Sequence, residues 1–116
     1  METESEKEIV WVGSSYNDLV AFPDEPKRQA GFQLGRVQAG LDPDDWKPFD
    51  IVGPGTREIR IKDEHGIYRV MYVAKFEEGI YVLHCFQKKS QATPKSDKDI
   101  VEARYRAVLQ KRKEKK

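Results

Sequence analysis

The chain has 116 residues, 38% of them hydrophobic and 35% charged, with a formal net charge of +1. That length holds one core and excludes a two-domain enzyme. No apolar run reaches membrane-spanning length, and the acidic start from Glu2 to Glu8 has the wrong sign for a secretory or organellar leader, so a cytoplasmic protein is expected.

Residues Glu8 to Gly13 form a short apolar run ended by glycine, which predicts a first strand. Ser14 and Ser15 offer caps for a short helix through Asp18, Leu19 and Val20 that Pro23 ends. A second helix starts between Pro23 and Pro26, with Pro26 in its first turn, and stops at Gly40. Its apolar side carries Ala30, Leu34, Val37 and Phe32. The segment from Leu41 to Gly55, with Pro43, Pro48, Gly53 and Pro54, predicts a loop that Trp46 and Phe49 pin to the body.

Three strand-like runs follow. Thr56 to Asp63 alternates, with Ile59 and Ile61 on one face and Glu58, Arg60 and Lys62 on the other. Ile67 to Phe76 and Ile80 to Lys88 are apolar on both faces, and the last puts His84 in phase with Val82, Phe86 and Lys88. The short joints Asp63–Gly66 and Glu77–Gly79 predict an antiparallel meander. From Lys95 the pattern is helical, with one stripe of Ile100, Ala103 and Ala107 beside another of Val101, Tyr105 and Val108. The expected fold is α+β in the order β-α-α-β-β-β-α. It has an antiparallel sheet, an N-terminal helical pair and a C-terminal helix, in one domain over 1–116. The acidic residues 1–7 and the basic residues 111–116 are expected to be flexible tails.

Charge is unevenly spread along this order. Residues 1–55 carry 5 Lys and Arg against 11 Asp and Glu, and residues 56–116 carry 16 against 9. A positive face with a negative back is the implied arrangement, and a positive face binds polyanions. The cations sit on the three strands: Arg57, Arg60 and Lys62; Arg69 and Lys75; then His84, Lys88 and Lys89. Arg69, inside an apolar strand, either reaches a functional surface or pairs with a carboxylate such as Glu58. A lone histidine on a partly apolar face is more often a hydrogen-bonded core residue than a catalyst, and Lys88 and Lys89 at a strand exit are more often plain surface charge. Taken together, such a face can hold an RNA backbone and stabilise charge on a scissile phosphate. RNA supplies its own nucleophile, the 2′-hydroxyl, so a base, an acid and cations suffice. The one cysteine, Cys85, cannot form an internal disulfide, nor a zinc site with two poorly spaced histidines. Gly53-Pro54-Gly55 lacks the length and lysine of a phosphate-cradling loop. No metal and no cofactor is expected.

These pieces, in their order and spacing, resemble the HigB-type, phage-derived branch of the RelE/ParE superfamily of bacterial toxins. The resemblance runs from about Trp11 to Leu109. It is carried by Asp18-Leu19 with Phe22-Pro23, Gly31 and Leu34, Gln38-Ala39-Gly40, Trp46-Lys47-Pro48-Phe49, and Gly53 with Gly55. It continues through Arg57-Glu58-Ile59-Arg60, Tyr68-Arg69-Val70-Met71-Tyr72, Val82 to Lys89, and Thr93-Pro94. The resemblance implies a RelE-like fold and an endoribonuclease that cuts mRNA in the ribosomal A site and is silenced by a helix-turn-helix antitoxin. Its partners are then mRNA, the ribosome and that antitoxin, with no membrane. Carried over, Arg60, Lys62 and Arg69 become phosphate stabilisers. His84, Lys88 and Lys89 become candidates for acid/base work, with base and acid unassigned. Lys47, Arg57, Lys62, Lys75 and Lys95 make up the wider RNA-contacting set. The superfamily also holds gyrase inhibitors without nuclease chemistry, so a binding-only relative or phage remnant is the alternative. A general RNA-binding domain fits less well, because Tyr68, Tyr72, Tyr81 and Phe86 fall at core parities rather than on a stacking platform.

Overall fold

The computed structural model describes residues 6–115. Strand β1 (Ile9–Trp11) leads into helices α1 (Ser15–Val20) and α2 (Asp24–Gln38), then β2 (Trp46–Pro48) and a single 3₁₀ turn at Asp50–Val52. Strands β3 (Thr56–Asp63), β4 (Gly66–Val73) and β5 (Ile80–Lys88) precede helix α3 (Lys95–Glu114). The five strands form one sheet in the order β1-β5-β4-β3-β2.

Local chemistry accounts for the helix ends. Ser15 is buried, its Oγ accepting from the Val12 N–H at 3.1 Å and donating to the Val82 carbonyl at 3.0 Å, which stitches the start of α1 to the sheet. Pro23 separates α1 from α2, and Asp24 and Glu25 occupy the first turn of α2, where the helix dipole favours negative charge. Gly40 closes α2 with φ of +85°, a left-handed value that glycine adopts without cost. Ala30, Leu34 and Val37 face the core as expected, but Phe32 points outward and is mostly exposed.

The meander β3-β4-β5 is antiparallel and in the expected order. Two parts of the sheet differ from expectation. β1 pairs parallel to β5, with Ile9 opposite Ile80 and Trp11 opposite Val82, so the sheet is mixed rather than antiparallel. A parallel pair needs a long connection, and here everything from α1 to β4 serves as one. The segment expected to be only a loop also contributes β2, antiparallel to β3. Pro48 is tolerated there because β2 is an edge strand.

A bulge sets the faces of β5. Met71 is opposite His84 but Tyr72 is opposite Val82, so one residue of β5 is skipped. Val82 therefore joins Cys85 on the face packed under α1 and α2, with Ile59, Ile61, Tyr68, Val70 and Tyr72. Leu83 and Phe86 turn to the other face, with Met71, Val73, and Val101, Tyr105 and Val108 of α3. The simple alternation that grouped His84 with Val82 fails at this bulge. Of the two α3 stripes, the one with Val101, Tyr105 and Val108 is inward; Ala103 and Ala107 are exposed.

The tail expectations meet the structure only in part, since residues 1–5 and 116 lie outside the described range. Lys7 is tied down, its Nζ donating to the carbonyls of Ala74 at 2.6 Å and Phe76 at 2.9 Å. At the other end α3 continues to Glu114, so the basic run from Lys111 is helical up to that point.

Candidate nucleic-acid interface

Strand register builds the site. On the sheet face that α3 crosses, three rows of side chains run from β5 across β4 to β3. The first is Lys88, Ile67 and Lys62; the second Phe86, Arg69 and Arg60; the third His84, Met71 and Glu58, continued by Lys47 of β2. Helix α3 packs over the β5 and β4 end of the third row, at His84 and Met71, with Phe86 of the second row at its margin. Beyond its edge lies an open cleft lined by Arg60, Ile67, Arg69, Lys88, Lys89, Ser90 and Gln91. Four of the five residues expected to carry chemistry thus come together; His84 does not.

The floor of the cleft is a buried ion pair. Arg69 Nε lies 3.3 Å from Glu58 Oε2, with the two side chains only 7% and 5% exposed. Neither atom has an aligned hydrogen bond, so the contact is one of charge; the guanidinium spends a separate N–H, from Nη1, on the Tyr68 carbonyl at 3.1 Å. Burial lowers the pKa of Arg69 and Arg60 lowers it further, while the Glu58 carboxylate opposes the shift. Of the two roles the sequence left open for Arg69, a functional surface or a carboxylate partner such as Glu58, the pairing with Glu58 is present.

Lys88 lines the same cleft and feels the charge of both members of that pair. Its pKa is lowered from the usual lysine value first by partial burial, then by the neighbouring charges of Arg69, Arg60 and Lys47, against the pull of Glu58. An amine shifted in this direction is nearer to acting as a proton acceptor. Lys47 and Lys62 are exposed on the same face as the cleft.

His84 is sealed under the start of α3. Its side chain is 8% exposed and Nε2 lies 2.7 Å from Asp97 Oδ1, in the first turn of that helix. Its ring stacks on Phe86 with centroids 4.9 Å apart. Geometrically it is a bond between strand and helix, the hydrogen-bonded core role that a lone histidine most often plays.

Three of the wider cationic set lie elsewhere. Arg57 is on the opposite face, opposite Tyr72, with its guanidinium 4.0 Å above the Trp46 ring and 3.0 Å from Asp42. Lys75 lines a separate depression with Arg57, Gln38 and Gly55. Lys95 is solvent-exposed and pairs with Asp99 at 3.0 Å. Counting cations per strand could not separate these faces; only parity could for Arg57, and only the end of β4 at Val73 could for Lys75.

Two features of the cleft had escaped sequence reasoning. Ser90 and Gln91 continue the Lys88-Lys89 exit and line its wall, which their adjacency could have suggested. Asp45, 3.8 Å from Arg60 Nε, arrives through β2, and with that strand unrecognised nothing pointed to it. Among the described residues, no group of three or more His, Cys, Asp or Glu side chains is placed to hold a metal ion. No helix among them is long and apolar enough to cross a membrane.

A small α+β domain with a cationic cleft at the uncovered end of its sheet defines the class. The family model for phage-derived Gp49-like proteins (DUF891) matches residues 17–106, which run from within α1 to within α3 and include every residue of the cleft. The chain belongs to that family, one of the RelE/HigB-type toxin kind. Comparison with curated proteins gives no match.

Proposed function

We propose that the chain is the toxin of a bacterial toxin–antitoxin pair, of the HigB type, and that it cleaves mRNA held in the ribosomal A site. The observation that carries this reading is the convergence of Arg60, Arg69, Lys88 and Lys89 on one open cleft. A scissile phosphate seated there sits against two guanidiniums, which stabilise the charge that builds on its oxygens. Lys88, with its lowered pKa, takes the proton from the 2′-hydroxyl. The 2′-oxygen then bonds to phosphorus, and the bond to the 5′-oxygen of the next nucleotide breaks, leaving a 2′,3′-cyclic phosphate. The departing 5′-oxygen takes a proton from the Lys89 ammonium, which lines the same cleft. Lys47 and Lys62 hold flanking phosphates, and His84 positions α3 rather than touching substrate. The protein acts in the cytoplasm, with a helix-turn-helix antitoxin as its restraint and no metal in the chemistry.

A second reading is a binding-only relative. One observation favours it: Arg69 and His84 already have carboxylate partners within the fold.

Translation reactions programmed with a defined mRNA separate the two. Wild type is expected to cut within the reading frame, with the rate rising with pH to a plateau below the ordinary lysine value of 10.5. Arg60→Gln and Lys88→Met are expected to lose about 100-fold in rate with unchanged thermal midpoints. Translation arrest on intact mRNA, persisting in both folded variants, would give the second reading.

A further inference from the structure

The turn before β2 carries three acids, and each faces an arginine. Asp42 Oδ1 lies 3.0 Å from Arg57 on the far face of the sheet. Asp44 lies 3.5 Å from Arg36 Nε and makes two 2.8 Å hydrogen bonds with Gln33, accepting at Oδ2 and donating from its N–H. These two contacts fasten the turn to α2 and β3. Asp45 is different. Its carbonyl accepts the Arg60 N–H at 2.9 Å, so its main chain is fixed beside the cleft. Its carboxylate, 68% exposed, stands 3.8 Å from Arg60 Nε, beyond hydrogen-bond range. The same charge is felt at Arg69.

We propose that Asp45 is a specificity-determining residue: a carboxylate held over Arg60 that competes with the RNA phosphate and must be displaced before the cleft fills. The proposal rests on the cleft being the RNA site. A guanidinium presents planar edges of paired donors, and a phosphate that approaches the Nε edge competes with the carboxylate already facing it. The competition is mild, because an exposed ion pair is weak and screened by salt. A mild competitor suits a cleft whose substrate is delivered on a large partner: free single strands are discouraged, while a strand already held in place displaces the carboxylate easily. Neighbouring Trp46, clamped under Arg57 at 4.0 Å, keeps the turn itself in position, so only the side chain has to move.

The test measures binding of a single-stranded, fully 2′-O-methylated RNA of about ten nucleotides, which cannot be cut, by fluorescence anisotropy over a salt series. Asp45→Asn is expected to bind about 2- to 5-fold more tightly than wild type at low salt, the range an exposed pair allows. Its dependence of log affinity on log salt should steepen by about 0.7, one further phosphate contact. Asp24→Asn makes the same change of charge on the exposed start of α2 and should bind as wild type does. Equal binding by Asp45→Asn and wild type, with Arg60→Gln weaker, overturns the competitor and leaves the cleft standing. An equal gain in Asp24→Asn also overturns it, since net charge alone then suffices. Arg60→Gln binding as tightly as wild type removes the cleft as the RNA site, and the competitor with it.

Discussion

The face of the sheet that α3 crosses has two ends, made by the same strands to opposite effect. Under α3, Met71, Val73 and Leu83 meet Val101, Tyr105 and Val108, and the titratable His84 is accepted there paired with Asp97. One row further along, past Phe86, no helix covers the strands, and Arg60, Lys88 and Lys89 line an open cleft. Phe86 is the border, stacked on His84 on one side and opposite Arg69 on the other. The difference teaches that residue type does not decide availability. A histidine looks better suited to proton transfer than a lysine, yet here the histidine is hydrogen-bonded to Asp97 beneath a helix while Lys88 and Lys89 line the open cleft.

Arg69 straddles that border, and removing it should have the largest effect. Arg69→Met leaves Glu58 as a buried carboxylate without its partner, which costs about 3–5 kcal/mol of stability. Urea unfolding measures it. The double variant Arg69→Met with Glu58→Leu should recover most of the loss, because an apolar pair of similar size avoids the stranded charge. A single-variant cost below about 1 kcal/mol would mean the pair is effectively solvated, and the sealed end would then stop short of Arg69.

Substitution at the sealed end itself should come next. His84→Gln and Asp97→Asn are each expected to cost about 1–3 kcal/mol, the range for disturbing a buried hydrogen bond to a charged group. Their double variant should cost less than the sum, since both remove one interaction. At the open end Lys89→Ala should stay within about 0.5 kcal/mol of wild type, as exposed substitutions do. His84→Gln at wild-type stability but without RNA cleavage would move His84 from the sealed end into the chemistry.

Much of this division was legible in the sequence. The alternation in Thr56 to Asp63 placed Arg60 and Lys62 together, and the apolar run around Arg69 left a choice between a functional surface and a carboxylate partner such as Glu58, which the fold supplies. What stayed hidden depended on contacts distant in the chain. The bulge that separates Val82 from His84 is set by pairing with β4, not by any residue in β5 alone. β2 is three residues with a proline at its end, and only the ladder to β3 makes it a strand. The parallel alignment of β1 with β5 joins positions about 70 apart in the chain, for which an apolar run gives presence but no direction.

The smallest effect lies where the far end of α3 is fastened to the β4–β5 turn. Glu78 accepts from Arg112 Nε at 2.6 Å and Nη2 at 3.2 Å, and from the Tyr81 hydroxyl at 2.8 Å, while the guanidinium lies 4.0 Å over the Phe76 ring. The hydrogen bond from Arg112 is the main cause that brings the Glu78 carboxyl down to about 2, from an ordinary 4.5. A carboxylate with a depressed folded pKa stabilises the fold above its unfolded value and ceases to do so as the pH falls through its folded one. Wild type should therefore melt slightly above Glu78→Gln at neutral pH, and the gap should shrink from pH 4.5 downward and close near pH 2. The gap should be small because the pair is largely exposed. A gap that persists unchanged to pH 2 would show that shape rather than charge fastens this end of α3, leaving Arg112 to act through its seat on Phe76.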